Sequence, residues 1–330
     1  MIGMMCARYQ IDPLGQRRGF SGDNLVCYVS IESHYSVLMA ANVLGIGFDN
    51  VIKIPCDDSG RMRSDKLQEE IERTRINGQT PFCVIATAGT TVRGAFDPIK
   101  EIADICSDNE IWLHVDAAWG GSCMFSTKHR DLMEGVELAD SVCWDAHKMM
   151  GVPLVCSAFL IKKPEILRKV CSHGDVAHYL FHGDSEDVDI GRISLQCGRR
   201  NDALKLFLAW REKGDAGWAR LVDSYVDLAD HLQSLVEADE KLEMVSSRVW
   251  SNVCMRYVVE GFDLNDINFQ IRERMMREGR FMVSSSKVGD IVILRPVIAN
   301  PAVTRDVLDS FVENAIQIGD DIVRGLPSTI

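Results

Sequence analysis

Three short segments of the chain carry side chains that could do chemistry. In "HVDAAWGG" these are His114 and Asp116, in "WDAHK" they are Asp145, His147 and Lys148, and in "ATAGTT" they are Thr87, Thr90 and Thr91. A lysine amine condenses with an aldehyde. A carboxylate set beside a pyridine nitrogen keeps that nitrogen protonated, so that the ring can accept electrons. Hydroxyls, backbone N–H groups and a helix N-terminus hold a phosphate. A site for pyridoxal 5′-phosphate (PLP) needs all of these, together with a flat group on the ring face. Lys148 can supply the amine and Asp116 the carboxylate. A second chemistry draws on part of the same set, because His114, Asp116, Asp145 and His147 are of the types that bind zinc or manganese. That reading leaves Lys148 without a task and explains none of the threonines. Each short motif taken alone is more often structural: a lysine after a strand is usually solvated, and a Gly-Gly after a strand is usually a turn.

Side chains so far apart in sequence need a scaffold that gathers strand ends. Short apolar runs alternate with helical patterns through the first half. "NLVCYVSI", "VIKIPC", "PFCVIATAG", "IWLHVDAAW", "SVCWD" and "CSAFLIKK" read as strands. "SVLMAANVLG" reads as a helix ended by Gly45, "DKLQEEIERTRIN" as a helix capped by Ser64 and stopped at Gly78, and Asp97 to Cys106 as a third. Near-continuous apolar strands alternating with helices predict a mostly parallel sheet covered on both faces. In such sheets function sits at the carboxyl ends of strands, where all three loaded segments fall. After about Asn201 the pattern changes. Leu221, Tyr225, Leu228, Leu232 and Leu235 follow helical spacing, and short strands, a helix around "INFQIRERMMREG" and a final helix from about Thr304 follow. The expected organisation is a large α/β domain over 1–220 and a small α+β domain over 221–330.

The chain has 330 residues, 46% hydrophobic and 25% charged, with a net charge of −12. The negative balance argues against nucleic acid as a partner, since phosphate backbones need a basic face. No apolar run approaches the ~20 residues of a membrane span, and the opening "MIGMMCARYQ" lacks the pattern of a signal peptide. Eleven cysteines without a CxxC pair read as reduced thiols in the cytosol.

"IWLHVDAAWGG" followed by "DSVCWDAHKMMGVPLVCSAFLIKK" closely resembles the group II PLP-dependent amino-acid decarboxylases, nearest the glutamate and cysteine-sulfinate decarboxylase branch. "PFCVIATAGTTVRGAFDPI", "SLQCGRRNDALKLFLAWREKG" and "RPVIANPA" resemble that branch too, and the likeness covers essentially the whole chain. It implies the fold type I, aminotransferase-like α/β architecture, a homodimer, PLP as cofactor, and α-decarboxylation of an L-amino acid. It also implies roles. Lys148 matches the cofactor-binding lysine and Asp116 the partner of the pyridine nitrogen. Ala118 and His34 match the residues on the two ring faces, and Thr91 a cofactor-contacting threonine. Asp145 stands where the family often has asparagine near the phosphate, with His147 beside it. Arg295 matches an arginine that recognises a substrate carboxylate. Trp119 stands where aromatic amino-acid decarboxylases typically read tyrosine, so a small acidic substrate is expected: glutamate, aspartate or cysteine sulfinate. Decarboxylation coupled to oxidative deamination and an inactive paralogue are the alternatives.

Two departures from the family pattern stand out. The chain starts inside the segment that follows the family's Gly/Ser-rich phosphate-binding turn, so that turn and an N-terminal dimer-clasping segment are expected to be missing, and PLP binding to be weak. The mobile catalytic loop, expected between Phe181 and Leu195 with Gly183 and Gly191 as hinges, contains no tyrosine. His182 is then the candidate proton donor on residue type alone.

Overall fold

The computed structural model describes residues 1–20, 24–171, 190–196 and 198–325. Its centre is a six-stranded sheet of β1 (Leu25–Ser30), β2 (Val51–Ile54), β3 (Thr80–Thr87), β4 (Trp112–Asp116), β5 (Ser141–Asp145) and β6 (Ser157–Ile161), in the order β2-β1-β3-β4-β5-β6. The first five are parallel, and β6 runs antiparallel to β5. Side chains alternate between the faces of a strand, and here both faces are apolar. Val26, Tyr28, Val84, Ala86, Leu113 and Val115 enter one core. Cys27, Val29, Cys83, Ile85 and Trp112 enter the other.

Helices cover each face. On the first side lie α4 (Ser64–Ile76) and α5 (Ile99–Asp108), the latter burying Ile99, Ile102, Ala103 and Cys106 at helical spacing. On the second lie α1 (Ile2–Ile11), α3 (Ser36–Val43) and α6 (Pro164–Cys171). A short helix, α2 (Gly15–Arg18), follows α1. Burying a Leu- or Ile-sized side chain gives about 1.5–3 kcal/mol, so these stripes fix the helices against the sheet.

The long helix α7 (Asp202–Ala238) leads into the second unit and is broken at Gly214, which has φ 62° and ψ 176°. The boundary expected after residue 220 falls inside this helix. A four-stranded antiparallel sheet follows: β7 (Leu242–Met244), β8 (Met255–Tyr257), β9 (Ser284–Val288) and β10 (Ile291–Arg295), ordered β7-β8-β10-β9. Against it pack α8 (Leu264–Glu278) and α9 (Arg305–Gly325). Asp263 caps α8 by accepting from the Asn265 and Asp266 N–H groups, and Gly279 ends it in a left-handed conformation.

Three local expectations are corrected. Ser64 does not cap α4, because its hydroxyl donates instead to Glu101 Oε2 at 2.6 Å. Asp97 does not begin a helix. It lies in the turn before α5, where its two oxygens accept the Met62 and Thr87 N–H groups at 2.7 Å each. The helices α1 and α6 were not expected at all. Most of the stretch expected to act as a lid, including His182, lies outside the described residues.

Candidate active site

The parallel register brings the chemistry together. Thr87 on β3 pairs with Asp116 on β4, and Asp116 pairs with Cys143 on β5. Three neighbouring strands therefore set these side chains in one row at their carboxyl ends. Trp112, His114 and Asp116 alternate along β4, so they share the face covered by α1, α3 and α6. The row lines a cavity of about 230 Å³ together with His34, Ser36, Gly89, Thr91, Ala118, Trp119, Asp145 and Lys148.

Each expected residue has a definite place. Lys148 follows β5 on a turn in which its N–H donates to the Asp145 carbonyl. Its Nζ lies 3.3 Å from Asp145 Oδ2, with the side chain 38% exposed. Asp116 Oδ1 accepts the Ala118 N–H at 3.1 Å and the Cys143 S–H at 3.4 Å. His34 sits in the turn between β1 and α3, with its Nδ1 accepting the Ser36 N–H at 3.3 Å and its ring 4.3 Å from that of Tyr35. Thr91 and Ala118 line the same cavity.

His147 is not among the lining residues. Its Nδ1 lies 2.9 Å from the Cys156 carbonyl and 3.1 Å from the Cys156 N–H, and only one of these bonds forms in a given tautomer. His114 lies deeper. Its Nδ1 is 2.8 Å from Ser141 Oγ, and that hydroxyl also accepts the Trp112 indole N–H at 3.0 Å. Burial pushes the His114 imidazole down from its ordinary value, against the pull of Asp116. Helix α1 approaches so closely here that a Cβ on Gly3 would fall 2.8 Å from His114 Nδ1. The four side chains of the metal reading are thus not gathered. Among the described residues no group of three or more His, Cys, Asp or Glu side chains could hold a metal ion.

Two turns close the floor of the site. Gly89 has φ +82°, and a Cβ on it would meet the Gly120 backbone at 2.7 Å, so "ATAGTT" and "AAWGG" touch where glycine alone allows it. Asn252, between β7 and β8, accepts the Trp119 indole N–H at 2.8 Å and donates to the Thr91 and Val92 carbonyls. Beneath them Asp97 ties the end of β3 to the segment before α4. Burial pushes its carboxyl up to about 7, against the two N–H groups that favour the anion. Folding thus binds a proton here, and this group's contribution to stability falls as pH rises from the ordinary carboxylate range to about 7. Asp97→Asn sets an amide NH2 against one of the two N–H donors. It is expected to destabilise the protein by about 1–3 kcal/mol in urea unfolding, and an unchanged midpoint would contradict this role.

Arg295, at the end of β10, lines an adjoining chamber of about 490 Å³ that shares Thr91, Trp119 and Lys148 with the first cavity. Its Nη1 donates to the Thr91 carbonyl at 2.7 Å, and it pairs with no carboxylate among the described residues. The rest of the chamber is largely apolar, with Phe281, Val283, Ile298 and Phe311 in its wall.

Sequence reasoning did not single out Cys143 and Asn252, and gave Thr87 no role. Cys143 and Thr87 are identified by being in register with Asp116, a relation set by strand pairing. The residues present fit PLP. The cavity offers an amine, a carboxylate with one oxygen tied and the other accepting no hydrogen bond among the described residues, and an imidazole. It also offers the Thr87 hydroxyl, which is buried without a partner among the described residues and which a ligand would satisfy.

The pyridoxal-dependent decarboxylase conserved domain matches residues 1–258. The solved structure of mouse CSAD, cysteine sulfinic acid decarboxylase, superposes with a TM-score of 0.92 at 35% identity, over 96% of this chain and 69% of that one. Rice (Oryza sativa) TDC, solved with PLP and tryptamine, gives 0.91 at 25% identity, over 97% and 68%. The 4-hydroxyphenylacetaldehyde synthase of Rhodiola rosea gives 0.87 at 26% identity, over 98% and 67%. This chain belongs to the pyridoxal-dependent decarboxylase family, as a PLP-dependent carboxy-lyase of fold type I on the glutamate and cysteine-sulfinate side of that family.

Proposed function

We infer that the chain removes the α-carboxylate of a small acidic L-amino acid (glutamate, aspartate or cysteine sulfinate), giving the amine and CO2. The observation that carries this reading is the junction of the two cavities. The one that holds Lys148 and Asp116 shares Thr91, Trp119 and Lys148 with a chamber whose half-buried guanidinium, that of Arg295, has no anionic partner among the described residues. A partly desolvated arginine left in this state favours a carboxylate from outside.

Bound PLP supplies an aldehyde for the substrate amine and a protonated ring that accepts the electrons left behind by CO2. Lys148 would supply the amine that holds the cofactor. Asp116 would keep the ring nitrogen protonated, and His34, Ala118 and Thr91, which line the same cavity, would hold the cofactor. Asp145 orients Lys148 through their ion pair. Arg295 orients the substrate through a carboxylate, and the wall around Phe281 and Phe311 excludes water.

Exposed apolar side chains at the start of and along α3 (Tyr35, Met39 and Val43) and on α7 (Leu204, Phe207 and Leu208) support a homodimer. The free state of all ten described cysteines supports a cytosolic location. No described helix is long and apolar enough to cross a membrane.

The apolar lining of the chamber favours a second reading, a substrate with an apolar or aromatic side chain. A screen of L-amino acids that measures CO2 and amine release separates the two. We expect turnover of at least one of the three acids, with Arg295→Gln raising its KM by about 10- to 100-fold, as befits a lost charge-assisted pair. Much faster turnover of valine or an aromatic amino acid than of all three acids would overturn the acidic assignment.

A further inference from the structure

Cys143 touches Asp116 from the side. The two residues are paired across β5 and β4, and the thiol donates to Asp116 Oδ1 at 3.4 Å while the Ala118 N–H reaches the same oxygen at 3.1 Å. One carboxylate oxygen is thus held from two directions, and rotating the carboxylate would break both bonds. The other ionisable groups around it are engaged elsewhere. His114, two residues earlier on β4, faces Ser141, and Lys148 faces Asp145. His34 accepts the Ser36 N–H. The Cys143 S–H is therefore the one side-chain donor to Asp116 among the described residues. Burial first, and then the Asp116 charge, push the thiol up, so the sulfur keeps its proton at neutral pH.

We propose that Cys143 is a positioning residue, whose S–H fixes the Asp116 carboxylate through Oδ1 and leaves Oδ2 for the ring nitrogen of the cofactor. This rests on the reading of Asp116 given above. The competing account is that Cys143 only fills space on β5.

Cys143→Ala and Cys143→Ser remove nearly the same volume, but serine alone keeps a donor, so comparing them separates the bond from the packing. The readouts are kcat, KM and the pH midpoint of the bound cofactor's visible absorbance. A lost hydrogen bond to a charged group, scaled down for a sulfur donor, predicts about a fivefold fall in kcat for Cys143→Ala with KM little changed, and a midpoint shift of about 0.7 unit. Cys143→Ser is expected to stay within about twofold of the starting protein, since a hydroxyl is the stronger donor. In an Asp116→Asn background Cys143→Ala should add no further loss, because the residue acts through that carboxylate. If Cys143→Ala fails to fold, Cys143→Val serves as the donor-free variant. Equal losses in the serine and donor-free variants, no loss in either, or additive loss in the Asp116→Asn background would each overturn the proposal. Failure of the underlying reading is distinguishable: Asp116→Asn alone would then leave both kcat and the absorbance midpoint unchanged.

Discussion

Lys148→Ala is expected to abolish turnover, with a loss of at least ~10³-fold, while the protein stays folded. Among the described residues the two adjoining cavities are lined by this one lysine, and none of those residues offers a second amine to hold the cofactor. The side chain is 38% exposed and, among the described residues, pairs only with Asp145, at 3.3 Å. An ion pair of that kind contributes about 0–1 kcal/mol, so the thermal midpoint should hardly move. Loss of activity together with loss of fold would leave catalysis and stability confounded, so unfolding is followed beside turnover. Turnover within tenfold of the starting protein would remove Lys148 from the mechanism.

The second large effect is expected at Asp116. Asp116→Asn keeps Oδ1 as an acceptor for the Ala118 N–H and the Cys143 S–H, so the local fold is retained while the negative charge is lost. The ring nitrogen of the cofactor would then lack the anion that keeps it protonated. Preorganised electrostatic groups are worth about 3–4 kcal/mol, so kcat should fall at least ~100-fold. Near-normal turnover would refute the role of this carboxylate.

The sheet and the strand ends were legible because their signals are local. Apolar runs such as "PFCVIATAG" and "IWLHVDAAW" identify buried parallel strands, and in such sheets the carboxyl ends carry the chemistry. Lys148, Asp116, His34, Thr91, Ala118 and Asp145 do converge on one cavity. The misses depend on tertiary relations. Cys143 gains its meaning from strand register with Asp116, and register between β4 and β5 is not written in either segment alone. Asn252 reaches Trp119 and Thr91 across more than a hundred residues of chain. Helix α1 buries the small side chains Gly3, Cys6 and Ala7, and their value is close approach to β4 rather than a strong amphipathic pattern. Asp97 reads as the start of a helix in sequence, yet it lies before α5 and its oxygens go to Met62 and Thr87. Ser64 reads as a helix cap and instead bonds Glu101. Both show a local propensity overridden by a nearby donor or acceptor. His147 adjoins Lys148 in sequence but turns to Cys156, because the chain makes a tight turn between them and the β6 strand.

The most direct test of the account is covalent mapping of the cofactor. The protein loaded with PLP is reduced with borohydride, digested, and the labelled peptide identified by mass. The account predicts a single label on Lys148 within "WDAHKMM", absent in Lys148→Ala. A label on any other lysine, or PLP that binds without becoming fixed to the chain, would contradict it.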